Sequence, residues 1–203
     1  RHLAHLAEAL RGTPFFSGGS GVAAHLDLPR HAASREPAPA LPPGGTLILS
    51  GSCSAATLRQ LDRYPGPRVA VDPRELDVDP LFEAAAALLR RGERALVTAS
   101  APPHQRPLEP LVIGPAIEQT LSAIAVRCVQ EGLANRIIVA GGETSGAVID
   151  ALAVPAVEIL APLDPGVPAL RAFEPQPLGL ALKSGNFGRD DFFLHAAQFL
   201  EAL

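Results

Sequence analysis

The sequence predicts an α/β domain, with helices on both faces of a mostly parallel sheet, preceded by a short remnant of a second domain. Short apolar runs such as 46–50 (TLILS) and 136–140 (RIIVA) suit strands that are buried on both faces. These runs alternate with stretches of helical periodicity, which is typical of a parallel sheet joined by helical crossovers. Five prolines in the stretch 29–45, which has no apolar period, indicate an extended linker. We therefore assign 1–28 to the tail of a preceding domain and 46–203 to the main domain.

The elements follow in order from the spacing of apolar residues. The helix that starts at Leu81 has apolar residues at i, i+4, i+7 and i+8 before Gly92 stops it. The clearest amphipathic stripe runs from Ile117 to Val129, and 164–168 (DPGVP) is predicted to be a rigid turn. The predicted strands are 46–50, 68–71, 95–99, 136–140, 156–160 and 178–182, and the predicted helices are 3–10, 54–64, 81–89, 117–129, a short one that ends at 152, and 192–203.

Composition excludes several classes of protein. The chain has 203 residues, a net charge of −4 and 47% hydrophobic residues, which disfavours disorder and a general binder of nucleic acid or anionic membranes. No apolar run approaches the roughly 20 residues of a membrane span. Two cysteines, Cys53 and Cys128, cannot form a disulfide framework, so we expect a reducing, cytoplasmic setting. The lack of methionine, even at position 1, suggests a fragment of a longer product.

Three loops that follow predicted strands carry short, polar segments with glycine. They are 50–54 (SGSCS), 140–146 (AGGETSG) and 183–188 (KSGNFG). Ligands of open α/β sheets bind beyond the carboxyl ends of the strands, so these loops are candidates for one site. Glycine lets the backbone approach a ligand closely, and the exposed amides of a helix start attract phosphate. Lys183, the only lysine among 17 basic residues, could bring a positive charge to phosphates.

Each loop also has a plain structural explanation. A GG pair after a strand is most often a tight turn, Ser54 and Thr144 are good helix N-caps, and Gly185 can simply end a strand. Three such loops at one end of the sheet nevertheless favour a nucleotide or phosphate site. The sequence has neither a GxxxxGK[ST] P-loop nor a GxGxxG dinucleotide fingerprint.

Other residues give weaker signals. The six histidines show no metal-ligand spacing, so no zinc site is predicted. Cys53 precedes a helix start, where a thiolate would be stabilised, but no histidine lies nearby in sequence to act as a base, which favours an ordinary loop thiol. Cys128 lies on the apolar stripe of its helix and is predicted to be part of the core.

Taken in order, the motifs resemble those of the C-terminal nucleotide-binding domain of the four-carbon acid sugar kinases, from about Thr46 to Leu203. A segment near the start looks like the end of that family's N-terminal, sugar-binding domain. The motifs are FFSGGSG at 15–21, GSCS at 51–54, AGGETSGAV at 140–148, PGVP at 165–168 and LKSGNFG at 182–188.

This resemblance implies transfer of the γ-phosphoryl group of ATP to a hydroxyl of a four-carbon sugar acid, such as a threonate, erythronate or oxo-tetronate. It implies that the sugar-binding residues and any catalytic base lie in an N-terminal domain that is mostly absent here, so we expect the fragment alone to be inactive. The implied ATP contacts are Ser52 or Ser54, Gly141, Gly142, Glu143, Thr144 and Gly185.

We add an assignment of roles within this site. The amides and hydroxyls of 141–145, including that of Ser145, are expected to hold the phosphates, and Lys183 to neutralise them. Glu143 is expected to contact Mg²⁺, directly or through water, or the ribose.

The alternative is a non-catalytic sensor domain that binds a phosphorylated small molecule in the same loops. An NAD-dependent oxidoreductase is disfavoured by the missing GxGxxG motif. The expected partners are ATP, a sugar acid and the N-terminal domain, with neither nucleic acid nor membrane, and with a homo-oligomer left open.

Overall fold

The computed structural model describes residues 2–18, 20–26, 40–102 and 110–203. The chain separates into two compact units, Arg1–Pro39 and Ala40–Leu203. The elements of the first unit are α1 (His2–Ala9) and α2 (Ser20–Ala23). The second unit contains β1 (Gly45–Ser50), α3 (Ala55–Arg63), β2 (Arg68–Ala70), α4 (Val78–Arg90), β3 (Ala95–Thr98), α5 (Pro110–Gln130), β4 (Ala134–Ala140), α6 (Gly142–Ala151), β5 (Glu158–Asp164), β6 (Val167–Ala172), β7 (Leu178–Lys183) and α7 (Phe192–Glu201).

The second unit is built on a seven-stranded sheet in the order β2-β3-β1-β4-β7-β6-β5. The first five strands in this order run parallel, β6 runs antiparallel to β7, and β5 runs antiparallel to β6. The predicted α/β fold with a mostly parallel sheet is confirmed. Because the parallel strands share one direction, the loops that follow β1, β4 and β7 leave the sheet at the same edge.

Side chains of the central strands are buried on both faces, as their continuous apolar runs predict. Leu47 and Leu49 of β1 point to one side and join a core with Phe82 of α4 and Ile124 of α5. Ile48 points to the other side, where the core is formed with α3 and α7. Cys128 has no exposed surface and belongs to the first of these cores, as predicted.

The turn predicted at 164–168 is present as the tip of a β-hairpin. Asp164 pairs with Val167 around the two-residue turn Pro165-Gly166, where Gly166 has a φ of +77°. The strand predicted at 156–160 begins later, at Glu158, and β6 was missed altogether. Prolines argue against strands, but here Pro162 lies in the edge strand β5, and Pro168 lies at the start of β6, where β6 pairs with β5 and not yet with β7.

The second unit begins at Ala40, whereas the sequence predicts that the main domain begins at residue 46. Residues 29–39 of the predicted linker lie outside the described residues. Leu41 is buried, and the carbonyl oxygen of Pro42 accepts a hydrogen bond from the Asn135 side chain, so this stretch packs on the sheet domain. Among the described residues, no helix combines the length and hydropathy required to cross a membrane.

Candidate functional site

The loops after β1, β4 and β7 meet at the carboxyl end of the sheet. The amide of Ser52 donates to the carbonyl oxygen of Ala140 at 3.1 Å, which joins the first loop to the second strand end. The amide of Gly141 donates to the carbonyl oxygen of Lys183 at 2.9 Å, which joins the second loop to the third. Ser54 closes the triangle, because its hydroxyl donates to the carbonyl oxygen of Gly185 at 2.5 Å.

The first loop leads into α3 through a side-chain cap. Ser54 is the N-cap residue, and its hydroxyl oxygen accepts a hydrogen bond from the amide of Thr57 at 3.1 Å. The Thr57 hydroxyl lies 3.2 Å from the hydroxyl of Ser52 and donates to the carbonyl oxygen of Gly185 at 2.9 Å. The cap predicted for Ser54 is therefore present, and its hydroxyl also binds the third loop.

The second loop begins α6 without a side-chain cap. Gly141 occupies the N-cap position with a φ of +130°, a conformation that glycine adopts without strain. The prediction that Thr144 caps this helix was wrong, because Thr144 lies inside the first turn and its side chain is buried against Gly51. The first amides of an α-helix have no partner within the helix, and the helix dipole adds partial positive charge there. The start of α6 therefore favours an anion.

Lys183 lies behind the third loop with 1% of its surface exposed. Its ammonium donates to the Thr57 hydroxyl at 2.9 Å and to the carbonyl oxygens of Gly185 and Ser184 at 3.0 and 3.2 Å. An ammonium has three donors, so these bonds leave none for a ligand. The expectation that Lys183 reaches phosphates directly does not fit this geometry, because its charge is turned toward the protein.

The hairpin between β5 and β6 supports the same loop from the side. The buried carboxylate of Asp164 accepts hydrogen bonds from the amide of Arg189 at 3.0 Å and from its Nε at 2.7 Å. The ring of Phe187 packs against Gly166 in the hairpin turn. The PGVP segment thus helps to fix the third loop and does not itself contribute to the cavity described next.

A cavity of about 340 Å³ opens where the three loops meet α5. This volume is within the range of pockets that hold small molecules. One wall is polar and consists of the loops and the start of α6, and the opposite wall is mainly apolar. Its lining residues are Gly51, Ser52, Cys53, Pro73, Ala99, Ala101, Ile113, Gly114, Ile117, Glu118, Gly141, Gly142, Glu143, Thr144 and Gly185.

Two carboxylates, Glu118 of α5 and Glu143 of α6, line this cavity. Burial raises the pKa of the Glu118 carboxyl, and the negative charge of Glu143 raises it further. The lining residues include no lysine or arginine. Within the described residues, no cluster of three or more metal-ligating side chains is present. Charge neutralisation of an anionic ligand here would therefore rest on backbone amides and on a bound cation.

Six of the nine predicted site residues line the cavity, and three do not. Ser54 and Lys183 lie behind the third loop, and the Ser145 hydroxyl is buried within the second unit. The residues that line the cavity are Ser52, Gly141, Gly142, Glu143, Thr144 and Gly185.

The wall supplied by α5 was not predicted. Ile117 was assigned to the apolar stripe of a core helix, and Ile113 and Glu118 were not singled out. The signal that could have revealed this wall is Ile113, which continues the apolar stripe one turn toward the amino end of α5, past the residues that pack in the core. Cys53, predicted to be a loop thiol, also lines the cavity.

A second, larger cavity lies at the opposite, amino end of the strands. It measures about 800 Å³ and is lined by Thr46, Tyr64, Arg94 and Glu201, among others. Its charged groups bind each other, because Arg94 and Glu201 form an ion pair of 2.5 Å and the Thr46 hydroxyl donates to Glu201 at 2.8 Å. This cavity contains none of the predicted site residues.

Burial should make Lys183 titrate well below an ordinary lysine. Burial lowers the pKa of its ammonium from 10.5 to about 8. The chain has no other lysine, so selective ¹³C labelling of lysine gives a single Cε resonance to follow. We expect its titration midpoint in the folded chain near pH 8, and a midpoint near 10.5 would contradict this burial.

The same pKa shift should change the pH dependence of stability. Above pH 8 the unfolded chain holds the proton of Lys183 while the folded chain loses it, so the free energy of unfolding gains a term that rises with pH. Relative to Lys183→Met, the wild type should gain up to about 3 kcal/mol between pH 8 and 10.5. Urea unfolding of both proteins across this range measures the difference, and a constant difference would refute it.

Comparison with known proteins adds to this description. Residues 47–193 match the family model described as "Nucleotide-binding C-terminal domain". A 3-oxo-tetronate kinase of Burkholderia multivorans is 40% identical over 219 residues, which cover 99% of this chain and 50% of that protein. A 3-oxo-tetronate kinase of Pseudomonas savastanoi is 39% identical over 212 residues, with 96% and 49% covered.

A solved structure of a Haemophilus influenzae protein of the DUF1537 family also aligns with this chain. The two share 32% identity and a TM-score of 0.75, over 98% of this chain and 51% of that one. This chain therefore spans about half the length of the curated relatives it matches. Because the family match covers more than half of the chain and includes all three loops of the cavity, the chain belongs to the family described as "Nucleotide-binding C-terminal domain".

Proposed function

We propose that this chain is the ATP-binding part of a kinase that transfers the γ-phosphoryl group of ATP to a hydroxyl of a four-carbon sugar acid. The observation that carries this proposal is the convergence of three strand-end loops on one cavity, with the start of α6 in its wall. The family membership and the names of the relatives agree with it.

The phosphates would lie at the start of α6. Gly142 has no atom within 4 Å of the position that a Cβ would take, so the backbone there is open to a ligand. The free amides of this first helical turn would donate to phosphate oxygens, and the dipole of α6 would stabilise their charge. Phosphoryl transfer depends mainly on such positioning and charge stabilisation.

The base of the nucleotide would lie against the apolar wall. Ile113 and Ile117 of α5 and Ala99 and Ala101 after β3 form a surface suited to the face of an aromatic ring. In this orientation the nucleotide extends from α5 toward α6. Glu118 would then lie near the base or the ribose, where a carboxylate can accept hydrogen bonds from amino or hydroxyl groups.

The residues of the cavity fit Mg²⁺ as the cation that accompanies the phosphates. Mg²⁺ prefers oxygen ligands, keeps several waters and takes one or two carboxylates together with substrate phosphates. Glu143, at the start of α6, would supply such a carboxylate, directly or through water. When bound, the ion would neutralise charge that develops on the transferred group.

The sugar acid would be bound by another part of the kinase, which corresponds to the half of the relatives' length that this chain does not cover. The group that accepts the hydroxyl proton would belong to that part as well. The relatives are named for 3-oxo-tetronate, which makes a four-carbon acid with a free hydroxyl the first acceptor to examine. The part of the kinase described here would contribute ATP binding and the orientation of the γ-phosphoryl group.

Calorimetric titration of this chain with ATP, with and without Mg²⁺, tests nucleotide binding. We expect saturable binding of one ATP per chain, strengthened by Mg²⁺, and weaker binding of AMP, which lacks the phosphates that α6 would hold. Absence of ATP binding at millimolar concentration would refute the proposal.

Phosphoryl transfer is tested with the complete gene product that carries this chain. Incubation with ATP, Mg²⁺ and each four-carbon sugar acid, followed by ³¹P NMR, should give a phosphate monoester of the acid together with ADP. ATP binding without a phosphate ester from any of these acids would favour the sensor alternative.

A further inference from the structure

Side-chain donors bind the backbone carbonyl groups of the loop after β7 and hold this loop in place. Lys183 binds two of them, and the hydroxyls of Ser54 and Thr57 bind one of these two again. The Nε2 atom of Gln60, one turn further along α3 and 1% exposed, lies 2.9 to 3.0 Å from three more carbonyl oxygens, which share its two N–H donors. The carbonyls bound in this way belong to Ser184, Gly185, Phe187, Gly188 and Arg189.

This arrangement determines where the amides of the same peptide units point. In a planar trans peptide the C=O and N–H groups point in opposite directions. The carbonyls of Ser184 and Gly185 point toward the Lys183 ammonium, so the amides of Gly185 and Asn186 point away from it. Gly185 lines the cavity, and neither amide donates to an acceptor within residues 40–102 and 110–203.

Gly185 is already expected to contact ATP; we propose that Lys183 is the positioning residue of this loop, which orients the amides of Gly185 and Asn186 so that both donate to a phosphate oxygen of the nucleotide. This inference rests on the proposed function, because the anion is a phosphate of the nucleotide bound in the same cavity. It adds a second set of backbone donors, opposite the start of α6, and a role for Lys183 that involves no contact with the ligand.

A buried lysine suits this role better than direct contact with phosphate. All three donors of its ammonium are used within the protein, and its contacts are a hydroxyl and two carbonyls. The positive charge therefore acts through two peptide units whose dipoles it orients, with their amides directed away from the ammonium. Glycine at 185 keeps a side chain out of this path, and its φ is not positive, so close approach is the reason for glycine here.

The experiment follows the amide resonances of the ¹⁵N-labelled chain during titration with ATP. We expect the amide protons of Gly185 and Asn186 to move downfield at saturation, as hydrogen bonding to phosphate requires, while that of Gly188 in the same loop changes little. If the chain binds ATP and the amides of Gly185 and Asn186 do not respond, the inference is wrong and the proposed function stands. If the chain binds no ATP, the proposed function fails.

A variant tests the part assigned to Lys183. Lys183→Met should remain folded and lose at least about tenfold in ATP affinity, equivalent to about 1.4 kcal/mol, together with the downfield response of the two amides. Arg59→Gln is the matched control, because Arg59 joins α3 to Asp190 through an exposed ion pair of 3.2 Å outside the cavity. Its affinity should be unchanged. Should Lys183→Met fail to fold, the wild-type amide shifts alone decide; a folded Lys183→Met with wild-type affinity and amide shifts would overturn the positioning role.

Discussion

Replacing Gly142 with aspartate should weaken ATP binding by at least about 100-fold without destabilising the folded chain. Gly142 is the first residue of α6, its Cβ would meet no atom within 4 Å, and it faces the cavity. A carboxylate there would occupy the position proposed for phosphate. Like charges about 4 Å apart repel by about 4 kcal/mol at the effective dielectric constant of a protein surface.

The same substitution should leave stability unchanged or raise it slightly. A negative charge in the first turn interacts favourably with the helix dipole, by about 0.3–1 kcal/mol. Loss of binding and retained stability are therefore expected together in one protein. Calorimetric ATP titration and urea unfolding measure the two effects.

Two control variants isolate the effect of charge at this position. Gly142→Ala adds bulk without charge and should cost much less affinity than the aspartate. Gly146→Asp places the same charge one turn along α6, in open space outside the cavity, and should retain nearly wild-type affinity. A similar loss in Gly142→Asp and Gly146→Asp would show that the charge acts at long range and would contradict the phosphate position proposed here.

Replacing Gly185 with alanine should have the second largest effect, a loss of ATP affinity of at least about tenfold. Its added Cβ would overlap the Ser52 hydroxyl and lie 3.1 Å from that of Ser54. These groups belong to the first loop, so the first and third loops must move apart. The backbone conformation at 185 has no positive φ, so the effect comes from this contact and not from backbone strain.

A second substitution can test that contact. Ser52→Ala removes the overlapping oxygen, so the double variant Ser52→Ala/Gly185→Ala should be less destabilised than the sum of the two single variants. Thermal unfolding of the four proteins gives this coupling. Additive effects would mean that the two loops do not touch as described.

Much of the fold was predictable because parallel strands buried on both faces leave continuous apolar runs in the sequence. The residues of β1 and β4 form such runs, and α4 ends at Arg90, just before Gly92, the glycine that was expected to stop it. The β5–β6 hairpin was not predicted because Pro162 and Pro168 disfavour strands. Only the sheet order shows that both prolines lie where no backbone N–H is needed for a hydrogen bond to a neighbouring strand.

The candidate site was predictable at its loops and not at its far wall. The rule that ligands bind at the carboxyl ends of parallel strands was sufficient to group Ser52, Gly142 and Gly185. Ile113 and Glu118 were missed because a helix that both packs on a core and borders a cavity has the same apolar spacing as one that only packs. The rarity of lysine drew attention to Lys183, but only its three contacts show that its charge faces inward.

A crystal structure of this chain with a non-hydrolysable ATP analogue and Mg²⁺ tests the central claim most directly. The account predicts the triphosphate between the start of α6 and Gly185, with the base against Ile113 and Ile117. Analogue bound in the cavity at the amino end of the strands, beside Arg94 and Glu201, would contradict it.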